Sequence, residues 1–152
     1  MIGTRALLYL MRGMAKLPLS WVRALGWVLG WILYGMVASR RQTVQVNLHL
    51  CFPHMMPVQV RKLSRLVFAR FAQAWLDRGW LWHGTPDLVR SRLTLSGAIE
   101  ELQGRDPIVI FAPHFVGLDA GWTALTQQLP RHFTTIYTDQ TNKIADAWIL
   151  QG

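Results

Sequence analysis

Apolar positions recur at helical spacing through the first half of the chain and fall into short blocks in the second. Leu17 to Ser39 reads LPLSWVRALGWVLGWILYGMVAS, twenty-three residues interrupted by one charge, Arg23. Beyond Arg40 and Arg41 the helical pattern runs on to Leu50, with Val44, Leu48 and Cys51 on one side. Phe52-Pro53 ends it, because proline restrains the residue before it and has no N–H to donate. Pro57 then opens a second long helix reaching about Trp82. Val60, Leu63, Val67, Phe71 and Trp75 recur at three- and four-residue steps and predict its buried face, with Arg61, Lys62, Arg65 and Arg70 on the others. That basic face suits either plain solvation or contact with lipid phosphates.

From Thr85 the texture changes. Thr85-Pro86-Asp87 predicts the start of a short helix to Arg92. Leu93 to Leu95 predicts a short strand, and Gly97 to Gly104 a short helix. Pro107 to Ala112 (PIVIFA) is β-branched and aromatic and predicts a buried parallel strand, broken by Pro113 to Gly117. A helix is expected over Leu118 to Leu129, a strand over Phe133 to Tyr137, and a last helix over Asn142 to Leu150. This alternation predicts an α/β fold preceded by helices, with residues 1–39 as a membrane-associated segment and 40–152 as the α/β part.

Composition adds the membrane. The chain is 51% hydrophobic and 16% charged, against roughly 25% charged in an ordinary soluble domain. Its eight tryptophans favour places where an apolar body meets a wet edge. Residues 24–39 carry no charge and would measure about 24 Å as helix, short of a hydrocarbon core of about 30 Å. Adding the turn before Arg23, whose side chain can snorkel outward, brings the segment to a span, so crossing and lying flat both stay open. Trp21, Arg23, Trp27 and Trp31 are the expected membrane contacts. Gly26 and Gly30 form a G-x-x-x-G pair that suits close approach of another helix. A cleaved signal peptide is disfavoured by the length of the apolar run and the lack of a small-x-small site before Arg40. A buried helix of a soluble core is the remaining alternative.

The net charge of +8 is unevenly placed. Met1 to Leu76 holds ten basic residues and no acid; Asp77 to Gly152 holds six basic and eight acidic residues, a sum of −2. A basic, apolar half points to anionic partners such as phospholipid headgroups, lipid phosphates or an acidic carrier protein. Nucleic acid is not expected, since no finger, basic-zipper or RNA-binding aromatic motif accompanies the charge. The single cysteine, Cys51, excludes an internal disulfide and a cysteine-built zinc site. No histidine spacing suggests a metal.

Candidate chemistry sits in APHFVGLDAG, Ala112 to Gly121. His114 and Asp119 are five residues apart, which on one helix would point them about 140° apart. They cooperate only if His114 lies on the loop and Asp119 in the first turn of the following helix, where the helix dipole favours a carboxylate. An Asp that accepts the Nδ1 proton of His fixes the tautomer and leaves Nε2 free as a general base. No G-x-S-x-G elbow supplies a nucleophile, so a substrate alcohol must attack directly. The bare H-x-x-x-x-D pattern is weak; its position at a strand exit before a helix strengthens it.

The combination of that box with R-R-x-x-x-x-x-N-L-x-x-C-F-P (Arg40 to Pro53) and I-Y-T-D-Q-T-N-K (Ile136 to Lys143) resembles the bacterial lipid A biosynthesis acyltransferases, the lauroyl and myristoyl transferase family. The resemblance implies a glycerolipid-acyltransferase-like α/β core on the cytoplasmic face of the bacterial inner membrane. It implies acyl carrier protein as donor and partner, a lipid A precursor hydroxyl as acceptor, and membrane phospholipids as surroundings, with no cofactor. His114 would be the base and Asp119 its partner; many relatives carry Glu there, and either carboxylate can orient the ring. Family chains are longer, with an arginine-containing segment after the part matching Ala147 to Gly152, so a truncated chain with an incomplete core is expected. Lysophospholipid or other glycerolipid acyl transfer, and an inactive membrane-bound fragment, are the alternatives.

Overall fold

The computed structural model describes residues 2–104 and 106–151. Seven α-helices lie along them: α1 (Ile2–Met14), α2 (Leu19–Met36), α3 (Ala38–Cys51), α4 (Pro57–His83), α5 (Pro86–Arg92), α6 (Leu118–Gln128) and α7 (Lys143–Gln151), with a 3-10 turn at Ile99–Leu102. They fall into two compact units, Leu17–Asp77 and Met1–Lys16 with Arg78–Gly152. The boundary between the units falls within α4.

In the first unit, α2 and α4 run antiparallel at backbone contact. A Cβ on Gly30 would lie 2.4 Å from the Ala69 Cα, and one on Gly26 would lie 2.6 Å from the Gln73 Cγ. The Gly26/Gly30 pair therefore meets a helix of its own chain. Gln73 Nε2 donates to the Arg23 carbonyl at 2.9 Å, and one turn on Arg23 pairs with the buried Asp77 at 2.8 Å. This contact rotates α4 away from the face its large residues suggest. Val60, Ser64, Phe68, Ala69, Ala72 and Gln73 are buried, whereas Phe71 and Trp75 are exposed. Small residues face the glycines because only they permit the approach. Ser64 satisfies its buried hydroxyl on the Val60 carbonyl at 2.7 Å.

Helix boundaries follow local chemistry. Gln59 Oε1 accepts the Met56 N–H at 3.0 Å at the start of α4, half of a capping box. Thr85 Oγ1 accepts the Leu88 N–H at 3.3 Å, with Pro86 opening α5. The apolar segment ends earlier than its composition suggests. It breaks at Val37, and α2 and α3 meet there at a bend of 96°. No single helix among the described residues is long and apolar enough to cross a membrane; α2 and α3 reach that length only as this bent pair.

In the second unit, α1 packs on the end of α4. A Cβ on Gly79 would lie 2.5 Å from the Met11 carbonyl oxygen, and Met11, Met14, Trp80, Leu81, Val89, Ala124 and Leu129 form the core. Burial of each large aliphatic side chain such as Val89 contributes about 1.5–3 kcal/mol. Gln128 Nε2 donates to the Leu93 carbonyl at 3.0 Å, tying the end of α6 to the segment after α5. Arg131 gathers the carbonyls of Leu102, Gly104 and Asp106 around one guanidinium.

The expected α/β fold, a glycerolipid-acyltransferase-like core behind membrane-associated helices, does not form: among the described residues there is no strand and no sheet. Leu93 to Leu95, Pro107 to Ala112 and Phe133 to Tyr137 form no ladder, and Val109, Phe111 and Ile136 are 96%, 89% and 98% exposed. A helix closes its hydrogen bonds within itself, so local pattern is enough to form it. A strand forms only where a second segment lies alongside in register, and β-branched composition supplies no such neighbour.

The glycine contacts give a paired test. Gly30→Ala should cost about 1–3 kcal/mol, because the added carbon meets α4 backbone that cannot swing aside. Gly35→Ala, with nothing within 4 Å of its would-be Cβ, should be neutral or gain up to about 1 kcal/mol from helix propensity. Unfolding followed by far-UV circular dichroism reads both; equal midpoints for the two variants would remove the close-contact explanation.

Candidate functional site

Gly117 decides how the His–Asp box folds. Its φ of +97° lies in the left-handed region, open to glycine at little cost, and it occupies the N-cap of α6. Its carbonyl accepts the Gly121 N–H at 3.0 Å, while the Leu118 N–H reaches back to the Phe115 carbonyl at 3.2 Å. His114 is thereby left on an exposed loop, and Asp119 stands in the first turn of α6. The helix dipole favours a charged carboxylate at that position. Thr123 Oγ1 donates to the Asp119 carbonyl at 2.8 Å and Trp122 meets Phe133 edge-on, which seats this turn.

The charged partner of Asp119 is Arg78, which the sequence did not single out. Arg78 Nε donates to Asp119 Oδ2 at 2.6 Å, and its guanidinium lies over the Trp82 ring, 5.6 Å from the centroid. With side chains 31% and 40% exposed, such a pair contributes about 0.2–1 kcal/mol to stability. Among the described residues no hydrogen bond or ion pair joins His114 to Asp119, and Asp119 Oδ1 accepts no hydrogen bond. The signal for Arg78 in the sequence is slight: a charge set within the Trp-rich run LDRGWLWH, forty-one residues before its partner.

Arg23, Trp21, Trp27 and Trp31 belong to the other unit. Trp21, Trp27 and Trp31 are exposed on α2, together with Leu25, Val28 and Ile32. Arg23 is held by Asp77 rather than reaching freely outward. Arg65 lies over both Trp31 and Tyr34, and Arg41 over Tyr34. The concavity formed by Cys51, Phe52, Pro53, His54, Met55 and Gln59 is apolar and contains neither member of the His–Asp box. Among the described residues no three His, Cys, Asp or Glu side chains gather where they could hold a metal.

A second polar cluster orders the segment before α7. The buried Asp146 accepts the Tyr137 hydroxyl at 2.5 Å and the Gln140 N–H at 2.6 Å through Oδ1. The Tyr137 hydroxyl, then the Gln140 N–H, hold the Asp146 carboxyl below its ordinary value; the same bond to Asp146 is the main force pushing the Tyr137 phenol upward. Elsewhere, burial and then the Arg12 guanidinium lower the His83 imidazole.

The family model for the bacterial lipid A biosynthesis acyltransferase matches residues 2–152 of the chain. No curated protein and no solved structure matches it.

The Tyr137–Asp146 bond has a signed pH dependence. Asp146 adds stability that is complete above 3.8 and is lost as pH falls through its lowered folded-state value. Tyr137 adds stability that is complete below 10.0 and is lost as pH rises through its raised value. Tyr137→Phe should therefore be less stable than the parent at neutral pH, with the gap closing on acidification past 3.8. Denaturant midpoints across that range measure it; a gap that stays constant would separate the bond from the titration.

Proposed function

Because the chain belongs to the family of bacterial lipid A biosynthesis acyltransferases, we propose that it moves a fatty acyl group from acyl carrier protein to a hydroxyl of a lipid A precursor, with His114 as general base. The observation that supports this most is the local geometry. His114 sits on an exposed loop shortly before α6, Asp119 stands in the first turn, and the following Phe115 and Val116 expose apolar surface. His114 Nε2 takes the proton of the acceptor hydroxyl as its oxygen attacks the thioester carbonyl. The tetrahedral intermediate collapses, the carbon–sulfur bond breaks, and the imidazolium returns its proton to the departing thiolate. Asp119 steadies the imidazolium through Nδ1. The thioester supplies the driving force, so the reaction needs no cofactor.

The acceptor lies in a bilayer, and the Leu17–Asp77 unit has a surface suited to one. It exposes Trp21, Trp27, Trp31, Val28 and Ile32, and its sole acid, Asp77, is buried on Arg23, so Arg65, over Trp31, forms no ion pair among the described residues. Arg65, stacked on Trp31 and Tyr34, places a guanidinium at the boundary of apolar and wet surface. We propose that the protein rests on the cytoplasmic face of the inner membrane among anionic phospholipids.

His114→Ala should abolish acyl transfer, and Asp119→Ala should slow it by about 10²–10⁴-fold. Lipid A mass spectrometry after complementation of a strain lacking the late acyltransferase reads the outcome. Undiminished acylation by the His114 variant would defeat the mechanism, and acylation of lysophospholipid in its place would redirect the acceptor. Binding to vesicles should rise with anionic lipid content, fall with salt, and weaken in Arg65→Glu. Equal sedimentation with neutral vesicles would argue against the charged surface.

A further inference from the structure

Among the described residues the ion-pair partner of Asp119 is Arg78, which projects from a closely packed part of α4. Arg78 precedes Gly79, whose Cα lies so close to the Met11 carbonyl that no side chain fits between them. Its guanidinium is backed by the Trp82 ring one turn on, at 5.6 Å. From this base Nε donates at 2.6 Å to one oxygen of Asp119, Oδ2, while Oδ1 accepts no hydrogen bond among the described residues. The exposure of the pair makes it a weak staple for the fold, so holding α4 to α6 is a poor explanation for it.

We propose that Arg78 is a positioning residue for the His–Asp pair. It grips Oδ2 through a charge-assisted hydrogen bond and leaves Oδ1 open to the Nδ1 proton of His114 when an acceptor alcohol engages the ring. The proposal rests on His114 being the base. It makes the working unit three groups from three places in the chain: the end of α4, the loop after residue 112 and the first turn of α6. A carboxylate held at one oxygen has less freedom to rotate away from an approaching imidazole, and misplacement of a catalytic group by about 1 Å can cost about 10²-fold in rate.

The test is a kinetic double-mutant cycle on the full chain, with Arg78→Gln, Asp119→Asn, the double variant and Arg78→Lys assayed for acyl transfer. Arg78→Gln should lower kcat by about 10- to 100-fold with little change in KM for donor or acceptor, and Arg78→Lys should recover part of the loss. In the Asp119→Asn background, Arg78→Gln should cost nothing further, because its effect passes through that carboxylate. A loss of the same size in both backgrounds, or parental kcat in Arg78→Gln, would overturn the proposal. Thermal midpoints separate this from unfolding, and Arg78→Lys carries the test if Arg78→Gln folds poorly. Full turnover by His114→Ala, or none by the parent chain, would instead strike at the acyltransfer mechanism on which the proposal stands.

Discussion

Backbone contact on α4 governs both units of this protein. At Gly26 and Gly30 the α2 backbone meets Ala69 and Gln73, and at Gly79 the α4 backbone meets Met11. Each meeting leaves no room for a single added carbon, so each fixes the height and rotation of the helices that share it. Small residues, rather than the large apolar ones that dominate the composition, set this packing. The large ones are correspondingly displaced: Phe71 and Trp75 stand exposed, and the indoles of α2 line its outer side.

The polar pairs follow from those contacts. With α2 pressed on α4, the Arg23 guanidinium reaches Asp77 at 2.8 Å and its carbonyl meets Gln73, so the buried carboxylate is matched. In the other unit the end of α4 is held against α1, and Arg78 projects from it to Asp119. Gly117 contributes the remaining element by turning the chain with a positive φ, which separates the histidine's loop from the aspartate's helix. Packing, backbone conformation and charge thus meet at one carboxylate.

How much of this is legible in the sequence depends on range. Proline and threonine punctuation located the starts of α4 and α5, and the apolar spacing located the helices, because those signals act within a few residues. The expected face of α4 held at Val60 and departed at Phe71 and Trp75, where the glycines of α2 draw in Ala69 and Gln73 instead. The PIVIFA and FTTIY blocks carry strand composition but gain no neighbour, so composition alone misled the fold class. Arg78 and Asp119 are forty-one residues apart, and Arg23 and Asp77 further still; no local pattern announces such pairs. In the His–Asp box the turn at Gly117 and the helix after it were readable, whereas the strand expected to end at Pro113 is absent and the ion that grips the aspartate had no local signal.

The break at Val37 separates two helices of opposite character. Behind it α2 is apolar; ahead of it α3 buries no residue at all. Arg41 reaches back over the break to the Tyr34 and Gly35 carbonyls, which closes the open end of α2. The stretch from Arg40 to Pro53, so prominent in the family likeness, therefore rides mostly on a helix whose side chains are half-buried or exposed among the described residues. Within this unit folding leans on α3 chiefly at Arg41, so exposed positions beside it such as Gln42, Thr43, Val46 and Asn47 are little restrained by packing there.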